Sequence, residues 1–226
     1  MTRDEVKKMI SKSDPRQWVS VDYTISFKVI KNEKISPELN EEISRLYGLC
    51  KTDPELAIPR LWDLAEEYPD LGCFYNYLVA AYRILKDSLS AKTVAELLYA
   101  EHPDYYFAKA SYAELCLNQG QADKIPEIFR GGFDLATVYP GRDCFHISEY
   151  SSFCTLMSRY FLEINEEETA EFYWAVLRQV DPENVYLKHI EQYFASHNLE
   201  MVSDSPLALM PDSLLKEIPS AISSQS

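Results

Sequence analysis

Apolar and polar positions alternate without a break from residue 19 to residue 29. Val19, Val21, Tyr23, Ile25, Phe27 and Val29 are separated by Ser20, Asp22, Thr24, Ser26 and Lys28. Period two places the first set on one side of an extended chain, so this stretch predicts a half-buried β-strand. One strand alone leaves backbone N–H and C=O groups unpaired and needs a neighbour. Three sources are open: a hairpin return over residues 31–35 through Asn32, the segment 199–203, or another chain.

Elsewhere the pattern is helical and it repeats. Ala57, Leu61 and Leu64 precede Pro69 by 12, 8 and 5 residues. Ala91, Ala95 and Leu98 precede Pro103, and Ala170, Trp174 and Leu177 precede Pro182, at the same offsets. Spacings of four and three put each trio on one helical face, with a small residue first, where a neighbouring helix must come close. The proline then ends the helix, because it disfavours helical geometry in the residue before it. Pro69 and Pro103 lie 34 residues apart; Pro103 and Pro182 are separated by 79, two such periods plus 11 residues. A helix also precedes each trio: Tyr75, Leu78 and Tyr82 share a face, as do Lys109, Tyr112 and Cys116, after which Asn118-Gln119-Gly120 reads as a stop.

These residues resemble the tetratricopeptide repeat, with its aromatic-Leu-Tyr first helix, its Ala-aromatic-Ala second helix and its closing proline. The resemblance spans residues 37–182. It departs at Arg45 and Gly48 in the first unit, and at Gly132 and Thr137 in the third. The expected fold is all-α: a tetratricopeptide-type solenoid of about four helical hairpins, a C-terminal capping helix over residues 183–198, and a short N-terminal β element. Residues 1–36 are then an extension, with a short helix over 1–12 (Thr2 and Glu5 as a capping box) before the strand. Residues 37–198 form the array, and residues 199–226 a mostly flexible tail in which Asp212 to Ile218 is apolar enough to dock. The extra residues fall in 130–149. They predict either a loop on the binding face or a lengthened helix pair with a looser turn.

The resemblance implies a function. In that family the first helices of successive repeats line a groove that holds another protein's peptide. Mapped onto this chain, the lining is Ile43 and Leu46, then Asn76, Tyr77 and Ala80, then Phe107, Ser111 and Glu114, then Thr155 and Arg159. A subfamily that clamps the terminal carboxylate of chaperones uses Lys, Asn and Arg there. Glu42, Leu46, Tyr77, Phe107 and Ser111 occupy those positions here, so that partner is excluded. The groove is apolar and aromatic with a few polar anchors, suited to an extended or helical segment carrying apolar side chains. The leading reading is therefore a protein-binding adaptor or scaffold. A small acidic secretion-type chaperone holding an apolar client is a second reading. A third is a structural subunit that pairs with its own copy through residues 19–29, using Val21, Tyr23, Ile25 and Phe27.

Charge narrows the partner further. The 226 residues carry a formal net charge of −14. Residues 1–36 hold eight Lys/Arg against five Asp/Glu, leaving 14 against 31 for the rest. So acidic a body repels nucleic acid and anionic membrane surfaces and favours a protein partner. Cys50, Cys73, Cys116, Cys144 and Cys154 are odd in number and lack C-x-x-C spacing, which predicts free thiols in a reducing compartment and a cytoplasmic protein. No segment has the apolar length for membrane insertion. The sequence offers no phosphate-cradling glycine loop, no His/Cys cluster with metal spacing and no cofactor motif, so neither an enzyme nor a metal or cofactor site is expected. Cys144 and His146 are neighbours in sequence only, and Glu166-Glu167-Glu168 reads as charge complementing a helix start.

Overall fold

A computed structural model describes residues 23–28, 35–197 and 199. The expected helix within residues 1–12, strand residues 19–22 and 29, and the tail from 200 onwards lie outside these. The described chain is predominantly helical. It divides into two units, one within Val29–Arg130 and one made from the described parts of Met1–Lys28 and Gly131–Ser226.

In the first unit Ser36 caps α1 (Pro37–Thr52), its side chain accepting from the Leu39 N–H, and a proline opens the helix where no N–H is needed. Asp53 alone joins it to α2 (Pro54–Glu67). Then come α3 (Cys73–Ile84) and α4 (Ser88–Glu101), the latter capped by the Asp87 carboxylate. α5 (Tyr106–Asn118) ends at Gly120, whose φ of +69° suits a residue without Cβ. A 3-10 turn (Ala122–Lys124) and the four-residue α6 (Ile125–Ile128) replace a full second helix. The two repeat trios of this unit, Ala57/Leu61/Leu64 and Ala91/Ala95/Leu98, are all buried. α1 packs on α2, α2 on α3, α3 on α4 and α4 on α5; α1 also packs on α3, and α3 on α5. Trp62 of α2 lies edge-on to Tyr75 and donates its indole N–H to Tyr82 Oη at 3.2 Å. Two aromatic positions of α3 thus hold the helix before it.

In the second unit β1 (Thr24–Ser26) pairs in parallel with β2 (Cys144–His146), with Thr24 opposite Cys144, Ile25 opposite Phe145 and Ser26 opposite His146. The alternation of the sequence is kept: Tyr23 (4 % exposed) and Ile25 (0 %) face inward, while Thr24 and Ser26 do not. The partner is none of the three expected. A parallel neighbour needs a long crossover, and this one encloses the whole first unit. The stretch 130–149 is neither an open loop nor a lengthened helix pair. It contains α7 (Leu135–Val138) and β2, so part of it supplies the missing strand. α8 (Ile147–Glu163) and α9 (Glu167–Val180) form an antiparallel pair on which α10 (Val185–Ser196) packs. The third trio, Ala170/Trp174/Leu177, is buried in α9. Asn184 caps α10 by accepting from the Tyr186 N–H.

Candidate binding site

Eight of the ten expected lining residues lie in the first unit. Ile43 and Leu46 are on α1, Asn76, Tyr77 and Ala80 on α3, and Phe107, Ser111 and Glu114 on α5. Because α1, α3 and α5 are neighbours, the structure brings these residues onto adjoining helices of one unit. They do not all reach its surface. Leu46 is fully buried in the core with Leu61 and Leu78, and Ser111 is buried too. Both belong to the packing beneath the face rather than to the face. Ile43, Asn76, Tyr77, Phe107 and Glu114 are half-buried and Ala80 is exposed.

Three residues that the sequence reading missed complete the surface. Tyr47 of α1 is 49 % exposed, and its ring centre lies 5.4 Å from that of Tyr77. Lys51, one turn on, donates to Tyr47 Oη at 2.8 Å and holds its ammonium 4.0 Å from the Tyr47 ring centre. Arg83 of α3 pairs with Glu114 of α5 at 2.7 Å, both about 40 % exposed. Arg83 was within reach of the sequence argument, since Asn76, Ala80 and Arg83 follow helical spacing. Tyr47 was not, because its role comes from an aromatic on another helix. Burial pushes the Tyr77 phenol well above its ordinary range and lifts the Cys73 thiol to about 11. Both stay protonated and uncharged at neutral pH, so this part of the face offers apolar area and hydroxyl donors rather than anions.

The last two expected residues, Thr155 and Arg159, lie on α8 in the second unit. Thr155 donates its hydroxyl to the Ser151 carbonyl at 2.8 Å, a bond within its own helix. The Arg159 guanidinium sits 5.1 Å over the Tyr193 ring of α10, with Glu163 at 3.9 Å. Its contacts hold α10 to α8.

The strand residues have a different part. Tyr23 donates its O–H to Asp134 Oδ1 at 3.2 Å, meets Phe145 edge-on at 5.0 Å, and leans on Tyr150 at 6.4 Å. Ile25 is enclosed, whereas Phe27, past the strand end, is 47 % exposed; Val21 lies outside the described residues. Beside them Arg142 makes two bonds to the Glu149 carboxylate, at 2.9 and 2.6 Å, and donates to the Cys144 carbonyl at 2.9 Å. Glu149 also accepts from the His146 N–H, and His146 Nδ1 accepts from the Ser148 N–H, closing a capping box at the start of α8. His146 Nδ1 is therefore engaged in holding a helix end. Among the described residues no three His, Cys, Asp or Glu gather to hold a metal ion, and no helix is long and apolar enough to cross a membrane. All five cysteines are free.

No family model, curated protein or solved structure matches the chain.

Proposed function

We propose that this protein is an interaction module of the tetratricopeptide type, which binds a segment of another protein on the face shared by α1, α3 and α5. The observation that carries the reading is the helix order in the first unit. Each first helix packs on the next first helix as well as on its own second helix. That leaves one row of first helices with a common exposed side, where Tyr47, Tyr77 and Ala80 stand beside the Arg83–Glu114 pair. Aromatic anchors rimmed by paired charge are typical of sites that take an apolar side chain from a partner. The acidic balance of the chain adds attraction for a basic segment.

The test is capture of partners by the tagged full chain, identified by mass spectrometry, followed by the same capture with Ala80→Arg. Ala80 is exposed, so the arginine blocks the face without disturbing the core. The expected result is a partner retained by the unsubstituted chain and lost from a variant of unchanged circular dichroism. A partner held equally by both would remove the reading.

A further inference from the structure

The second unit contains a slot built to hold an extended strand, and the structure identifies what fits it. Its floor is Phe145 of β2 and Tyr150 of α8, with Asp134 at its rim. Residues 23–26 fill it. Ile25 is enclosed, Tyr23 adds one hydroxyl donor to Asp134, and the Thr24 N–H donates to the Asp143 carbonyl at 2.7 Å. Burial keeps the Tyr23 phenol protonated far above neutral pH, so it remains a donor. No short turn binds this strand to its slot. The chain between β1 and β2 is residues 27–143, which includes the entire first unit.

We propose that residues 23–26 of a second copy of this chain fill the slot in trans, giving a strand-exchanged homodimer. Exchange replaces each contact of β1 with the identical contact from the other copy, so the enthalpy of the slot is unchanged. The opposing cost is association entropy, which falls with chain concentration. Because β1 lies before the first unit and β2 after it, no tight turn ties the strand to its own slot, and a strand from a neighbouring copy at high concentration competes for that slot. This pairing is independent of the face on α1, α3 and α5, and survives if that face binds nothing.

The register supplies a covalent test. Thr24 and Cys144 are opposite each other on the outer side of the strand pair, about 4.8 Å apart as neighbours in a sheet, within disulfide range. Full-length Thr24→Cys is unfolded, refolded either dilute or concentrated, oxidised, and run without reductant. The expected result is a shift of the linked product from monomer mass when dilute to dimer mass when concentrated, with both products lost on adding Cys144→Ser. Linked monomer alone at every concentration overturns the proposal, as does a linked dimer that persists with Cys144→Ser. Since a substitution in the strand can disturb folding, the unsubstituted chain is refolded alongside and its mass read by light scattering. No dimer from the concentrated refold overturns the proposal whatever the variant does.

Discussion

Among single residues, Lys109 shows how a departure from a repeat pattern is accommodated. It stands on α5 where Tyr75 stands on α3, yet it is only 3 % exposed. Its Nζ donates to the Ile128 carbonyl at 3.1 Å, so a cation satisfies the frayed end of α6, where a full second helix is missing. Burial first, and Arg130 second, lower its pKa. A lysine whose folded pKa lies below its unfolded value disfavours folding while charged, and that penalty is relieved as pH rises from the lowered value towards the ordinary 10.4. The melting temperature of the unsubstituted chain relative to Lys109→Met should therefore rise as pH climbs from neutral towards about 10, on top of a pH-independent loss in the variant from the Ile128 carbonyl it leaves unpaired. Gly72 gives a steric counterpart. It is buried, and a Cβ there would come within 3.0 Å of Tyr105 Cδ1 and 3.1 Å of His102 Cγ. Gly72→Val should cost about 1–3 kcal/mol by overpacking, read from urea unfolding, while the exposed Leu89→Ala should stay within about 0.5 kcal/mol.

Elements were legible where their signals were local. Prolines, caps and the three trios marked α2, α4 and α9, because a small residue followed at spacings of four and three by further apolar ones states which side of a helix is covered. The first helices were harder to read in depth. Leu46 and Ile43 share α1, and spacing alone did not tell that Leu46 lies in the core while Ile43 reaches the surface. Neither α7 nor β2 was expected, since three- and four-residue elements carry no periodicity. The start of α8 depends on one such element. Glu149 is nearly buried, with 9 % of its side chain exposed, and it serves both Arg142 and the His146 N–H. Glu149→Ala should destabilise the second unit by about 2–4 kcal/mol, somewhat less than the ~3–5 kcal/mol for breaking a fully buried pair, because Arg142, with 35 % of its side chain exposed, still reaches water. His146→Ala removes only the side-chain cap and should cost about 1 kcal/mol. Denaturant midpoints of the two variants should rank in that order.

On the scale of the whole molecule, chain order matters more than length. The first unit is inserted between two strands of the second, so the strand of residues 24–26 completes a body whose other residues begin after 130. Ile25→Ala should consequently raise amide hydrogen exchange in β2 and α8 while leaving α1 to α4 protected; uniform loosening of both units would contradict the division. The sequence alone determined the helical class, the repeat offsets that bury Ala57, Ala91 and Ala170, and the inward set Tyr23 and Ile25. All of these rest on spacings of two, three and four residues, over which backbone geometry dictates direction. Tertiary structure alone decided the partner of β1, the Tyr47–Tyr77 and Arg83–Glu114 contacts, and the burial of Lys109. Each joins residues on different elements, and no periodicity within one element records which distant group will close the distance.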